Sequence, residues 1–346
     1  MNSTTAAQLY RSRIRKKILV LLTLTVGVAG AFCVDIATGP SMMDIGEVIK
    51  AIFFPGSVEL ATKVIVWEVR LPYSVMALLV GAALSLAGLE MQTILNNPMA
   101  SPFTLGVSAA AAFGAALAIL LSAGVSFIDP RWMVSFNAFV FAFGAVMLLQ
   151  FLSRIGRTGV EALVLLGIAM DFTFKALIGI LQYVASAEAL QQFVFWSLGS
   201  LSRANWENIT ILGGVLAVIV PFSVAASWQM TALRLGEDSA RSYGINVSRL
   251  RFFSLVRVSL LTATAVAFVG TIGFIGLVGP HIAKLLIGED HRFSLPAALL
   301  SGAFVMSLAS IASKLISPGA ILPVGVITSL IGVPLFVWLI FSKRRK

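Results

Sequence analysis

Runs of apolar residues, each about 20 residues long, constrain the fold of this chain more than any other sequence feature. A run of that length is what an α-helix needs to cross the hydrocarbon core of a bilayer. Lipid offers no hydrogen-bond partner to the backbone, so helices are favoured over open sheet. The sequence therefore predicts an all-α polytopic membrane protein with about ten transmembrane helices. The apolar segments lie near 17–37, 65–89, 104–122, 132–153, 160–184, 208–228, 253–271, 274–288, 295–315 and 323–342.

The composition agrees with a single membrane domain. Only 12% of the residues are charged, whereas soluble domains carry about 25%. The interpretation is a transmembrane permease domain over 17–342, with cytoplasmic tails at 1–16 and 343–346. The third and eighth segments are short and rich in glycine, which indicates tilted or broken helices rather than full crossings.

The net charge of +10 has two interpretations, a nucleic-acid partner or a membrane orientation. With the N-terminus inside and ten crossings, most of the 25 lysines and arginines fall in inside loops and tails. That placement satisfies the positive-inside rule, which depends on lysine and arginine near the ends of spans. The charge therefore predicts contact with membrane lipid, two cytoplasmic termini and no nucleic acid.

The chain carries no recognisable catalytic machinery. No phosphate-binding loop of the form G-x-x-x-x-G-K-[ST] occurs, so the chain is not predicted to hydrolyse ATP itself. His281 and His291 have no carboxylate or thiol at ligand spacing. We expect no catalytic residue, no metal site and no bound cofactor. A secondary transporter, a channel, or a subunit driven by another polypeptide all fit at this point.

The longest inside loop between helices, at 233–250, has features of a docking element. Asp238 and Ser239 are placed to cap a short helix, and Gly244 to end it in less than two turns. Asn246 or Ser248 is placed to cap a second short helix. Two short amphipathic helices suit a groove on a partner protein. An ordinary basic interfacial loop is the alternative interpretation.

Short motifs follow one another in a fixed order from about residue 60 to residue 342. They include Arg70-Leu71-Pro72, Met91-Gln92, Asn97-Pro98-Met99-Ala100-Ser101-Pro102, the run from Gly273 to His281, Asp290-His291-Arg292, Leu322-Pro323-Val324-Gly325 and Gly332-Val333-Pro334. Each motif is weak alone. Together and in this order they resemble the FecCD-type permeases, the membrane subunits of iron–siderophore, haem and cobalamin ABC importers. The resemblance implies the type II ABC importer permease fold.

The resemblance also implies partners and a cargo. The expected partners are two ATPase subunits that use ATP and Mg²⁺, a second identical or paralogous permease, and a periplasmic or lipid-anchored substrate-binding protein. The expected cargo is a ferric siderophore carried across a bacterial inner membrane, with haem or cobalamin as alternatives. The loop at 233–250 becomes the coupling element. Its expected ATPase contacts are Gly236, Glu237, Asp238, Ala240, Arg241 and Gly244.

The resemblance implies a role for two basic residues on the predicted outer side of the membrane. Arg70 matches a position on the outer rim that pairs with acidic lobes of the binding protein. Lys314 falls where a second arginine is usual. Exposed pairs of this kind contribute only about 0–1 kcal/mol, so their expected role is orientation and association rate. Interfacial snorkelling of both side chains is the alternative.

Charged residues within the predicted spans complete the set. Asp171 and Lys175 are four residues apart on the fifth helix and share a face. They are interpreted as a self-neutralising structural pair or as part of the translocation pathway. Asp171 also keeps open an ion-coupled secondary transporter. Gly159, Val160 and Glu161 match the position of the cytoplasmic gate, and Glu90 has no assigned role.

Overall fold

A computed structural model describes residues 3–39, 43–122, 128–155, 160–317 and 319–342. Those residues form helices joined by short loops, and no strand occurs among them. The helices are α1 (Ser3–Ala37), α2 (Ile45–Phe53), α3 (Leu60–Val64), α4 (Leu71–Ile94), α5 (Val107–Leu121), α6 (Met133–Ile155), α7 (Val160–Val184), α8 (Ala187–Ser197), α9 (Trp206–Ala225), α10 (Ser227–Leu233), α11 (Glu237–Ser242), α12 (Val247–Val269), α13 (Ile275–Ile287), α14 (His291–Leu315) and α15 (Val324–Ser342).

Ten apolar helical stretches in the described residues match the ten predicted segments. Seven of them are long and apolar enough to cross a membrane by length and composition. The other three are shorter stretches, and α5 and α13 are two of these. The predicted all-α polytopic fold is confirmed, as are the short third and eighth segments. The seven long stretches are Arg11–Ala37, Leu60–Ile94, Pro130–Leu152, Ala162–Val184, Trp206–Ala225, Val247–Val269 and His291–Leu315.

The predicted N-terminal tail is helical where the structure describes it. Helix α1 begins at Ser3, so the predicted tail at 1–16 is a continuation of the first spanning helix as far as it is described. The predicted tail at 343–346 lies outside the described residues. The stretch between the first two predicted apolar segments contains two short helices, α2 and α3. A π-helical turn at Ile65–Arg70 then connects α3 directly to α4.

Helix α4 lies at the centre of the bundle, packed against α12, α13 and α14. In the most apolar stretch of α4, and in that of α12, 78% of the residues are buried. In the most apolar stretches of α1 and α7 the buried fraction is only 11%. Helices α1 and α7 therefore lie at the periphery. Close packing at the centre depends on glycine. A Cβ atom on Gly88 would lie 1.8 Å from the carbonyl oxygen of Gly276, so a side chain there would push α4 and α13 apart.

Candidate coupling site and translocation groove

Glycines set both ends of α11, the short helix in the predicted coupling loop. Gly236 precedes it with φ +109° and Gly244 follows it with φ +78°, angles that only glycine adopts readily. The predicted helix end at Gly244 is confirmed. The predicted caps at Asp238 and Ser239 are wrong, because α11 already begins at Glu237 and its capping residue is Gly236.

Paired hydrogen bonds close the C-terminus of α11. Gly244 donates its backbone N–H to the carbonyl of Arg241 at 2.9 Å, and Ile245 donates to the carbonyl of Ala240 at 3.1 Å. These two bonds define a Schellman motif, which normally carries an apolar contact between the same two outer positions. Ala240 and Ile245 are both buried. The end of α11 is therefore fixed against the rest of the protein.

The second predicted short helix is placed differently. Asn246 does act as a cap, since its Oδ1 accepts a hydrogen bond from the backbone of Arg249 at 2.9 Å. The helix that it caps is the long α12. The other short helix of this region, α10, precedes α11 in the chain.

The six predicted coupling residues, Gly236, Glu237, Asp238, Ala240, Arg241 and Gly244, all lie on α11 or at its two ends. The helix has an outer and an inner face. The Asp238 side chain is fully exposed and that of Arg241 is 62% exposed. On the inner face, Ala240 is buried and Glu237 forms an ion pair with Arg251 of α12. The charged outer face is therefore available to another protein.

A cleft of about 450 Å³ lies beside this element. Within it, Arg234 Nε donates to Glu289 Oε2 at 3.0 Å. That hydrogen bond holds the pKa of Glu289 below its ordinary value, so the pair remains charged at neutral pH. The cleft presents both signs of charge next to an exposed tryptophan. Its lining residues are Trp228, Thr231, Arg234, Leu235, Glu289, Asp290 and Arg292.

Arg70 is buried rather than exposed on an outer rim. Its Nη1 donates to the carbonyls of Ile36 and Ala37 at 3.0 and 2.8 Å. These carbonyls belong to the last turn of α1, where the helix supplies no internal donors. The interpretation of Arg70 as an exposed docking charge is corrected accordingly, because its side chain fastens the end of α1.

Lys314 is likewise buried. Its Nζ lies 2.8 Å from Asp35 Oδ1 and 2.8 Å from the Asp35 carbonyl oxygen, and 4.5 Å from the centre of the Tyr73 ring. The Lys314 and Asp35 side chains are 3% and 0% exposed. In this structure Lys314 is not an exposed docking charge either. It is the counter-ion that allows an aspartate to lie inside the bundle.

Asp171 and Lys175 form the predicted pair on α7. Lys175 Nζ lies 2.7 Å from Asp171 Oδ2, and the lysine side chain is 64% exposed on this single chain. The pair lies on a peripheral helix. Of the predicted gate residues, Gly159 lies outside the described part of the chain. Val160 and Glu161 begin α7, and their side chains are not described.

The non-helical backbone between α12 and α13 lines a groove that is also bordered by α8 and α15. Helix α12 ends at Val269 and α13 begins at Ile275, with Phe274 held at φ +66° between them. Irregular backbone at membrane depth is tolerated only where it is buried in protein or borders a water-filled cavity. The groove holds about 560 Å³. Its lining residues are Phe103, Ser197, Leu198, Thr271, Gly273, Gly325, Val326, Ser329, Leu330, Val333 and Pro334.

Sequence reasoning missed a buried ion pair within the membrane. Arg257 Nη2 lies 2.8 Å from Glu90 Oε2, and their side chains are 9% and 3% exposed. Ser223 donates to the same carboxylate at 2.5 Å, and Ser254 accepts from Arg257 at 2.9 Å. The pair joins α4, α9 and α12. The sequence did contain a signal for this pair, namely a glutamate in one span and an arginine in another. Such groups seldom remain unpaired in lipid.

The family model described as the FecCD transport family matches residues 22–342 of the chain. This chain belongs to the FecCD transport family. The match begins within the first spanning helix and continues to the end of the last helix, so the predicted resemblance is confirmed.

Two curated members of the FecCD family illustrate the range of related permeases. The hemin transport system permease protein HmuU of Yersinia pestis is 34% identical over 282 residues, covering 81% of this chain and 84% of that protein. The vitamin B12 import system permease protein BtuC of Shigella boydii is 34% identical over 339 residues, covering 97% and 99%. Both are transport permeases by name.

A solved structure is similar to this chain in both fold and sequence. It is an inward-facing conformation of a metal-chelate type ABC transporter. It matches this FecCD chain with a TM-score of 0.81 and 30% identity, covering 93% of this chain and 99% of that one. The chain is accordingly an ABC transporter permease, and the predicted permease fold is confirmed.

Proposed function

We propose that this permease is the membrane subunit of an ATP-driven importer that carries a ferric siderophore across a bacterial inner membrane. The observation that supports it best is α11, a short helix with a charged outer face and a buried inner face. A helix anchored on one side and open on the other is suited to receive force from a partner. The expected force comes from two ATPase subunits, which hydrolyse ATP with Mg²⁺.

The cargo is proposed to be a whole chelate rather than a bare metal ion. Transition metals are held in proteins by clusters of histidine, cysteine and carboxylate side chains. No group of three such residues occurs in the described part of the chain. The groove lining is apolar apart from a few hydroxyl groups. A siderophore surrounds its iron and presents mainly organic surface, which suits such a groove. The haem and vitamin B12 relatives make haem and cobalamin the alternatives.

The transporter is proposed to contain a second permease, identical or paralogous, and to receive cargo from a periplasmic or lipid-anchored binding protein. Both termini face the cytoplasm in this arrangement. That orientation places α11 and the basic start of α1 on the ATPase side. Arg70 and Lys314 are not proposed as binding-protein contacts, because both are buried and occupied inside the permease.

Asp171 and Lys175 are proposed to face the pathway between the two permeases. Charged groups on a membrane helix are costly against lipid and normally face a protein interior or a water-filled cavity. The pair is exposed on the isolated chain, so a second permease or the pathway must cover it. Its internal neutralisation makes an ion-coupled transporter the weaker alternative, because a proton or sodium relay needs a carboxylate that changes charge.

Removing this pair tests the pathway role. The Asp171→Asn/Lys175→Met double variant is expected to assemble as the wild type does and to import its cargo with an altered rate. Each single variant should lose more activity, because one charge then remains unpaired. Initial uptake rates and gel filtration of the complex measure the two effects. Wild-type uptake rates in all three variants would contradict a pathway role.

A panel of labelled cargoes tests the proposed substrate. Proteoliposomes that hold the permease, its ATPase and its binding protein are supplied with ATP and with ferric siderophores, haem or cobalamin. Uptake of one ferric siderophore above the others is the expected result. Uptake of haem or cobalamin alone would replace the proposed cargo and leave the importer function intact.

A further inference from the structure

The cytoplasmic end of α4 carries an unusual set of polar contacts. Five of the seven residues at 90–96 each contact a side chain from another part of the chain. Such contacts are rare within an apolar bundle, where polar groups are costly unless paired. The contacts are Arg257 with Glu90, Lys284 with Gln92, His291 with Thr93, Arg251 with the Ile94 carbonyl and Arg234 with Asn96.

One of these contacts reaches the coupling helix. Arg251 Nε donates to the carbonyl oxygen of Ile94 at 3.0 Å. Its Nη2 forms an ion pair with Glu237, the first residue of α11. Ile94 is the last residue of α4, where carbonyls lack partners within the helix. The guanidinium of Arg251 thus joins the start of the coupling helix to the end of the central helix.

We infer that Arg251 is a positioning residue that transmits movement of α11 to α4 during import. A planar guanidinium presents its donors in a rigid fork, so two acceptors are held at a fixed separation. Displacement of α11 by a partner must therefore move the end of α4 or break the bridge. Helix α4 in turn packs against α12 and α13, and the connection between those two helices supplies Thr271 and Gly273 to the groove lining. This inference rests on the proposed ATP-driven import.

The exposed fractions of the Arg251 and Asp238 side chains distinguish a residue that transmits movement from one that contacts the partner. Arg251 has a side chain that is 22% exposed, whereas the Asp238 side chain is fully exposed. Arg251 therefore lies behind α11, on the side away from an approaching partner. A partner that contacts the outer face of α11 acts on Arg251 only through the helix.

Arg249 provides a matched control. It lies two residues earlier, is exposed, and stacks on the ring of Phe253 at 5.7 Å. Within the described part of the chain, the Arg249 side chain makes no hydrogen bond to α4 or α11. Substituting each arginine by methionine removes the same charge from the same helix turn.

The experiment measures cargo imported per ATP hydrolysed in proteoliposomes. Arg251→Met is expected to lower this ratio about fivefold or more, while the ATPase subunits remain bound and continue to hydrolyse ATP. Arg249→Met should keep the wild-type ratio. Arg251→Lys, with one nitrogen to reach two acceptors, should fall between them. If Arg251→Met assembles poorly, Arg251→Lys is used in its place. The melting temperature of Arg251→Lys in detergent then shows whether that variant is folded.

Two results would overturn the inference. A wild-type ratio in both Arg251 variants would show that the bridge transmits nothing. Loss of the ATPase subunits from an otherwise folded Arg251→Met permease would make the residue a docking contact. Failure of the proposed function itself is distinguishable, because the wild-type complex would then show no ATP-dependent uptake of any cargo.

Discussion

Replacing Lys314 by methionine is expected to lower the free energy of unfolding by about 3–5 kcal/mol. Asp35 would remain inside the bundle without its cation, since both side chains are almost fully buried. Ser310 donates to Asp35 Oδ1 at 2.5 Å, but one hydroxyl cannot neutralise a carboxylate. Asp35 Oδ2 is buried and makes no hydrogen bond with the described residues. The loss should therefore approach the full cost of an uncompensated buried charge.

Two further variants separate this cause from a general loss of packing. In Asp35→Asn/Lys314→Met no charge remains, so most of the stability should return. Lys63→Met removes an exposed lysine of α3 and should change stability by no more than about 0.5 kcal/mol. Equilibrium unfolding in mixed detergent micelles measures all three. Equal stability of Lys314→Met and Lys63→Met would contradict the buried-pair account.

The positions of the helices were predictable because lipid leaves the chain few choices. A spanning helix needs an apolar run of fixed length, and α7 occupies the predicted residues 160–184. The end of α11 was predictable for a similar reason, since Gly244 at φ +78° fills a conformation that other residues avoid. Both signals are local, and no knowledge of neighbouring helices is needed to interpret them.

The roles of the buried charges were not predictable from local sequence. Arg70 and Lys314 lie near the ends of spans, where snorkelling or docking cations are expected. Their burial depends on α1 packing against α4 and α14, which brings Asp35 and the last carbonyls of α1 to them. Glu90 had no assigned role because its partner, Arg257, lies far away in the sequence. Matching acids to bases across spans requires the fold.

The second large effect is expected at Gly244. Valine at this position cannot readily hold φ +78°, and its branched side chain makes left-handed backbone especially costly. The Schellman motif that closes α11 should open, and uptake should fall about tenfold or more if α11 transmits force. The spans should remain folded, because no atom of the described residues lies within 4 Å of a Cβ built on Gly244.

Gly319 supplies the matched control. It has φ +80° and the same open surroundings, but lies between α14 and α15 on the outer side of the proposed orientation. Gly319→Val therefore introduces the same local strain away from the coupling site. Co-purification with the ATPase subunits shows whether each variant still assembles.

The most direct test of ATP-driven import is uptake of the ferric siderophore in proteoliposomes, with and without ATP and the ATPase subunits. We predict uptake by the wild type and by Gly319→Val that requires both, and strongly reduced uptake by an assembled Gly244→Val complex. Uptake that continues without ATP or without the ATPase subunits, or that is unchanged in Gly244→Val, would contradict an importer driven through α11.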